Sequence, residues 1–332
     1  MTQPTLYLGT VGEGLWRSDD GGRHWQRRAV GMFVECDVRA IAADPRDSNV
    51  LYAGTNEGCY RTDDRGENWR LLDSPMNDLV VWSLLVLPDR PDTILAGTRP
   101  ARLYRSDDGG ENWRKLDTPF AEECFNPLLR LNRVTTIRVD PEHARRFWAG
   151  VEIDAVWVSN DDGETWEQRS SGLSSTDIHG LAIVPASNRR PRAIVAATNN
   201  DLNISTDEGR TWVPQRVGDR FEWPYCRGIA QQTDRPEVIF IGNGEGPPGF
   251  AGAIRRSSDG GNLWESPALP GQPNSTIWDF TLHPSDPALV YAYTVSGQVY
   301  RTTDGGGSWD KLPREFGEIR ALVWLPQAEP RE

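Results

Sequence analysis

The chain has 332 residues and a formal charge of −12, with 48 Asp and Glu against 36 Lys and Arg. So acidic a surface repels phosphate backbones and anionic lipid, so neither nucleic acid nor a membrane surface is expected as a partner, and no stretch approaches the roughly 20 apolar residues of a spanning helix. Gly at 32 and Pro at 24 point to many short strands and tight turns rather than long helices.

From the N-terminus, MTQPTLYLGT shows neither the basic nor the apolar region of an export signal, so a cytoplasmic location is expected. TLYLGT reads as a strand, and the segment SDDGGRHW from Ser18 as a turn. The same pattern, S/T-x-D-x-G-x-x-W, returns as TDDRGENW from Thr62, SDDGGENW from Ser106, SNDDGETW from Ser159, STDEGRTW from Ser205, SSDGGNLW from Ser257 and TTDGGGSW from Thr302. Its tryptophans, Trp25, Trp69, Trp113, Trp166, Trp212, Trp264 and Trp309, lie 44 to 53 residues apart, a period that suits a four-stranded propeller blade.

Each unit reads alike; in the second, VRAIAADP, NVLYAGT, GCYRTDD and NWRLL are four strands punctuated by Pro, Gly and the Asp-rich turn. The first unit begins at its second strand, and the closing IRALVWLP matches a first strand with nothing after it. The two ends are therefore expected to share one blade, giving an all-β, seven-bladed β-propeller formed by residues 1–332 as one domain and free of open sheet edges.

Within each turn the Asp (Asp20, Asp64, Asp108, Asp161, Asp207, Asp259 and Asp304) is expected to accept turn amides, the Gly to take the strained backbone and the Trp to pack between blades. Seven such motifs across nearly the whole chain resemble the Asp-box (BNR-repeat) propellers, which include sialidases, xyloglucan-cleaving glycosidases, sortilin-type receptors and photosystem II assembly factors of the Hcf136/Ycf48 kind. The resemblance implies that the motifs lie on the face opposite the active site, and it leaves function open. A sialidase would carry a Phe/Tyr-Arg-Ile-Pro motif, a Tyr nucleophile assisted by Glu and six blades. This chain has seven repeats, no such motif and only Tyr225 with Glu222 as a pair, which argues against that activity. The xyloglucan-cleaving enzymes use two propellers, and the assembly factors usually begin with an export signal; each differs from this chain in that respect.

If the motifs occupy one face, chemistry belongs at the other. Aligning the first strands VRAI, VWSL, VTTI, IHGL, CRGI, IWDF and IRAL puts Arg39, Trp82, Thr135, His179, Arg227, Trp278 and Arg320 at the second position, where an apolar strand needs no large polar group. The residues just after the second strands are Val11, Asn56, Arg99, Glu152, Asn199, Gly244 and Val295. Together these suggest a funnel in which Arg39, Arg99, Arg227 and Arg320, with Asn56 and Asn199, bind a carboxylate or phosphate, and Trp82 and Trp278 stack on a sugar or aromatic ring. His179, Glu152, Asp279 and Glu245 are the candidates for acid/base chemistry of a glycosidase, hydrolase or lyase kind. The alternative is an internally neutralised channel, with Glu13, Glu57, Asp154, Glu245 and Asp279 as counter-charges, in a non-catalytic scaffold. That scaffold would dock a protein on an apolar patch of Phe120, Phe125, Phe221, Trp223 and Phe250.

No cofactor is expected. His24, His143 and His283 map away from the funnel, so a multi-histidine metal site is not expected either, and Cys36, Cys59, Cys124 and Cys226 lack the spacing of a zinc site or disulfide framework. Three loops, 119–133, 221–226 and 243–252, are long or aromatic enough to act as lids or partner surfaces.

Overall fold

The computed structural model describes residues 3–124, 130–188 and 190–327. Among them the chain forms seven antiparallel sheets, and the helical content is one 3-10 turn at Val217–Asp219. Each sheet starts from an inner strand: Val38–Ala43, Val80–Leu87, Val134–Asp140, Ile178–Val184, Tyr225–Gln231, Ile277–Leu282 and Ile319–Leu325. Each inner strand touches the next, and Ile319–Leu325 touches both Ile277–Leu282 and Val38–Ala43, which closes the ring. Ile319–Leu325 pairs with the N-terminal strand Thr5–Thr10, so the two chain ends build one blade and the fold is a seven-bladed β-propeller.

Six blades have four strands; in the sixth, the fourth strand shrinks to a single bridge between Arg256 and Glu265. The next residues are Ser266 and Pro267, and proline has no N–H to extend the pairing.

The core lies between blades. In one such layer Tyr7, Leu15, Val38, Leu51, Tyr60 and Trp69, contributed by two successive blades, are all buried. Glycine lets the blades approach. A Cβ at Gly54 would meet the Val81 carbonyl oxygen at 2.9 Å, and one at Gly242 the Ile277 carbonyl oxygen at 2.3 Å. In both cases the obstacle is the backbone of the next inner strand, which explains the small residue in the AGT and IGN segments.

The turn motif is a closed hydrogen-bond circuit. Ser159 Oγ donates to Asp161 at 2.8 Å and accepts the buried Gly163 N–H at 2.9 Å, while Asp161 accepts the Thr165 N–H at 2.9 Å. The same three bonds recur in the other six turns. Donors from Thr165 hold the Asp161 carboxyl down to about 2. Arginines then tie one turn to the next blade: Arg61 donates to the Gly109 carbonyl at 2.7 Å and Arg256 to that of Gly305 at 3.0 Å.

Candidate functional site: the mouth of the central channel

The inner strands share an irregularity that fixes the site. In the second blade Val38 pairs with Thr55 and Ala40 with Gly54, so Arg39 is an extra, unpaired residue. The same bulge leaves Trp82, Thr135, His179, Trp278 and Arg320 unpaired, and in the sixth blade it falls at Arg227 and Gly228. A bulge re-aims a side chain out of the ladder's alternation. All seven residues aligned from the sequence line one central cavity of about 470 Å³.

The two tryptophans there are covered by guanidinium groups. Arg133 and Arg39 lie 4.0 and 4.8 Å from the Trp82 ring centre, and Arg227 and Arg320 lie 4.1 and 4.5 Å from that of Trp278. Each indole thus separates cations that would otherwise repel one another, and attracts them through its π face.

Carboxylates neutralise three of these four arginines. Arg39 pairs with Asp37 at 2.7 Å, Arg320 with Glu318 and Arg133 with Glu152. Asp37 and Glu318 each stand two residues before the bulged arginine they neutralise, and Asp177 stands two before His179, 3.3 Å from its Nε2. In the sixth blade that position holds Tyr225. Arg227 is only 5% exposed, yet among the described residues it makes no ion pair or hydrogen bond; its contact is the face of Trp278. The guanidinium edge is left for the cavity.

His179 is buried, and its Nδ1 lies 2.8 Å from the Cys226 carbonyl oxygen. Because a carbonyl only accepts, Nδ1 carries the proton and Nε2 faces Asp177. Burial, and then the Arg227 charge, push the imidazole below its ordinary value. Burial pushes Asp177 up, but His179, Arg227 and Arg133 together hold its carboxyl below the usual range. Burial brings Arg133 down to about 10 against the pull of Glu152. Glu152, Asp177 and His179 bring a ligand atom each within 4.8 Å of one another, but Arg133 occupies Glu152 and Arg227 lies alongside, so a divalent cation would face two guanidinium groups.

Asp279 lines the channel one residue past its bulge; its carboxyl accepts the Phe280 N–H at 2.9 Å and is pushed up by burial. The remaining candidates sit elsewhere. Arg99, Asn56, Asn199 and Glu245 are not among the cavity-lining residues. Asn56 accepts the Asp37 N–H at 2.9 Å, Asn199 is exposed, and Glu245 accepts the Phe250 N–H at 2.8 Å within its own loop. The loop at 243–252 is pinned by Thr276, which donates to the carbonyls of Pro248 and Gly246. Of the counter-charges read from the sequence, Asp154 serves the Ala121 N–H and Gln168 instead. In the aromatic set Phe120 and Phe221 are buried and Phe250 is 88% exposed; Phe125 lies outside the described residues. Sequence reasoning missed Arg133, Asp37, Asp177 and Glu318, although the spacing in DVR, DIH and EIR, against YCR at Arg227, carries the signal.

The family model for sortilin (Sortilin-Vps10; neurotensin receptor 3) matches residues 13–138, less than half of the chain. A comparison with curated proteins finds no significant match. Among solved structures, the GH74 xyloglucanase from Xanthomonas campestris is 18% identical with a TM-score of 0.67, covering 96% of this chain and 52% of its own; the chain thus spans about half of that enzyme. YCF48 bound to D1 peptide is 17% identical with a TM-score of 0.61, covering 88% of this chain and 87% of its own. YCF48 from Cyanidioschyzon merolae is likewise 17% identical, with a TM-score of 0.58 and coverages of 84% and 85%. At such identities the likeness is one of fold alone, a β-propeller common to a xyloglucanase and YCF48. No helix of the described residues is long and apolar enough to cross a membrane.

Proposed function

We propose that this protein is a binding propeller that takes the carboxylate of a small anionic molecule on Arg227 at the mouth of its central channel. The observation that carries the reading is the contrast between Arg227 and its neighbours: Arg39, Arg133 and Arg320 each hold a carboxylate, whereas Arg227 holds none. A buried guanidinium stacked on one face keeps its in-plane donors for a planar, bidentate acceptor, which is the geometry of a carboxylate. An anion is favoured over a neutral sugar because Trp82 and Trp278, the natural stacking surfaces, already carry guanidinium groups.

Binding is favoured over glycoside hydrolysis. A hydrolase of that kind needs a carboxylic acid poised to protonate and a second carboxylate facing it across the substrate. Glu152 is engaged by Arg133, Glu245 caps its own loop, and Asp279 accepts a backbone N–H within the channel. The test is a thermal-shift screen of carboxylates, sugar acids and phosphorylated metabolites on the wild type and on Arg227→Ala, since a ligand of the folded state raises Tm. Hits lost in the variant support the reading; hits that persist, or a screen without hits, refute it.

A second reading, a protein-docking scaffold, draws on Val30, Phe33 and Val34, exposed in the loop that leads into Val38–Ala43, and on the likeness to YCF48 bound to D1 peptide. Alanine at all three positions leaves small-anion binding intact on the first reading and abolishes partner capture on the second.

A further inference from the structure

The channel holds a second arginine that makes no direct ion pair among the described residues, although the Asp279 carboxyl acts on it through space. Arg138 lies three residues past the bulge at Thr135 and lines the same cavity as Arg227. Its Nε donates to the Leu181 carbonyl and one Nη to the Ile137 carbonyl, both at 3.2 Å, and it makes no ion pair among the described residues. Two backbone carbonyls leave most of a five-donor group unused. At about 3.3 Å per strand residue, Arg138 lies on the order of 10 Å deeper than the ring that includes Arg227. Asp279 stands between these levels, one residue past its own bulge; burial pushes its carboxyl up, while the Phe280 N–H and the Arg138 and Arg227 charges pull it back down.

We infer that Arg138 forms a second anion subsite, and that the channel's ligand is an elongated dianion with one acidic group on Arg227 at the mouth and the other on Arg138 within. This rests on the reading of Arg227 as the mouth site. A linear dicarboxylate is the simplest molecule of that description: its carboxylates satisfy both guanidinium groups, and its chain passes the small third positions of the inner strands, such as Ala40 and Ala321.

The test is calorimetric titration with linear dicarboxylates from succinate to suberate, and with octanoate as the single-ended control, on the wild type, Arg138→Met and Arg227→Met. Far-ultraviolet circular dichroism and Tm confirm that each variant is folded. The inference expects affinity to rise with length towards suberate, and suberate to exceed octanoate at least tenfold. Arg138→Met is expected to erase that advantage while leaving octanoate within about twofold, and Arg227→Met to weaken both. Octanoate binding that depends on Arg227 with no gain for suberate, or suberate binding untouched in Arg138→Met, overturns the second subsite alone. Binding indifferent to Arg227→Met, or no binding in either series, overturns the mouth reading with it.

Discussion

Arg227 lies over Trp278 with its guanidinium carbon 4.1 Å from the ring centre, and Arg320 takes the same indole at 4.5 Å. One ring therefore positions both the arginine that lacks a carboxylate and one that has Glu318. Trp278→Leu removes the surface that holds them, at about 0.5–2 kcal/mol for each cation–π contact. Carboxylate affinity should fall at least tenfold, while Trp278→Phe, which keeps an aromatic face, should lose about two- to fivefold; calorimetric titration of one ligand across the three proteins decides this.

Freeing a second guanidinium should strengthen the site. Glu318 neutralises Arg320 and is itself partly exposed. In Glu318→Gln the mouth gains a net positive charge, and carboxylate affinity is expected to rise several-fold in low salt and less at 0.15 M or more. An unchanged or weaker affinity would show that Arg320 plays no part in ligand capture.

The pH dependence follows from His179. Burial and Arg227 lower its pKa in the folded state, so the unfolded chain binds the proton more tightly. Stability from this residue is complete above the ordinary histidine value of about 6.5 and declines as pH falls from there towards the folded-state value. The Tm of the wild type should thus drop more between pH 7 and pH 5 than that of His179→Gln. A bound anion raises the imidazole pKa, so saturating ligand should flatten the difference.

How far the sequence leads can be seen residue by residue. The seven turns disclose the blade number because each needs the same Ser or Thr, Asp and Gly to close its circuit, as at Ser159, Asp161 and Gly163, with a tryptophan following at a fixed spacing. Arg39, His179, Arg227 and Arg320 were legible as a ring because they interrupt apolar strands at one register. The bulge that turns them into the channel is a backbone feature with no residue signature of its own. Arg99 and Asn199 do not line the cavity, and their place in the blades accounts for it. Arg99 ends a second strand and Asn199 follows one, a strand spacing of about 4.8 Å farther out, and a side chain there reaches the mouth only when something draws it in. Glu152 is drawn in: its N–H donates to the Arg133 carbonyl at 2.9 Å and its carboxylate meets the Arg133 guanidinium.

The turn circuit can be tested apart from the site. Ser159→Ala strands the buried Gly163 N–H and removes a donor to Asp161. An unsatisfied buried amide costs about 1–3 kcal/mol, so the urea midpoint should fall accordingly with the slope unchanged. Carboxylate affinity should stay the same, since the turns lie at the opposite ends of the blades from the bulges. A loss confined to binding would contradict the assignment of Ser159 to architecture.

The most direct measurement is a crystal structure with the tightest carboxylate from the screen. A carboxylate is expected in the plane of the Arg227 guanidinium, with both oxygens within hydrogen-bond distance, Trp278 on the guanidinium face, and Arg39 and Arg320 still paired with Asp37 and Glu318. A structure in which Arg227 instead pairs with Asp177, and the ligand lies elsewhere or is not held at all, would contradict it.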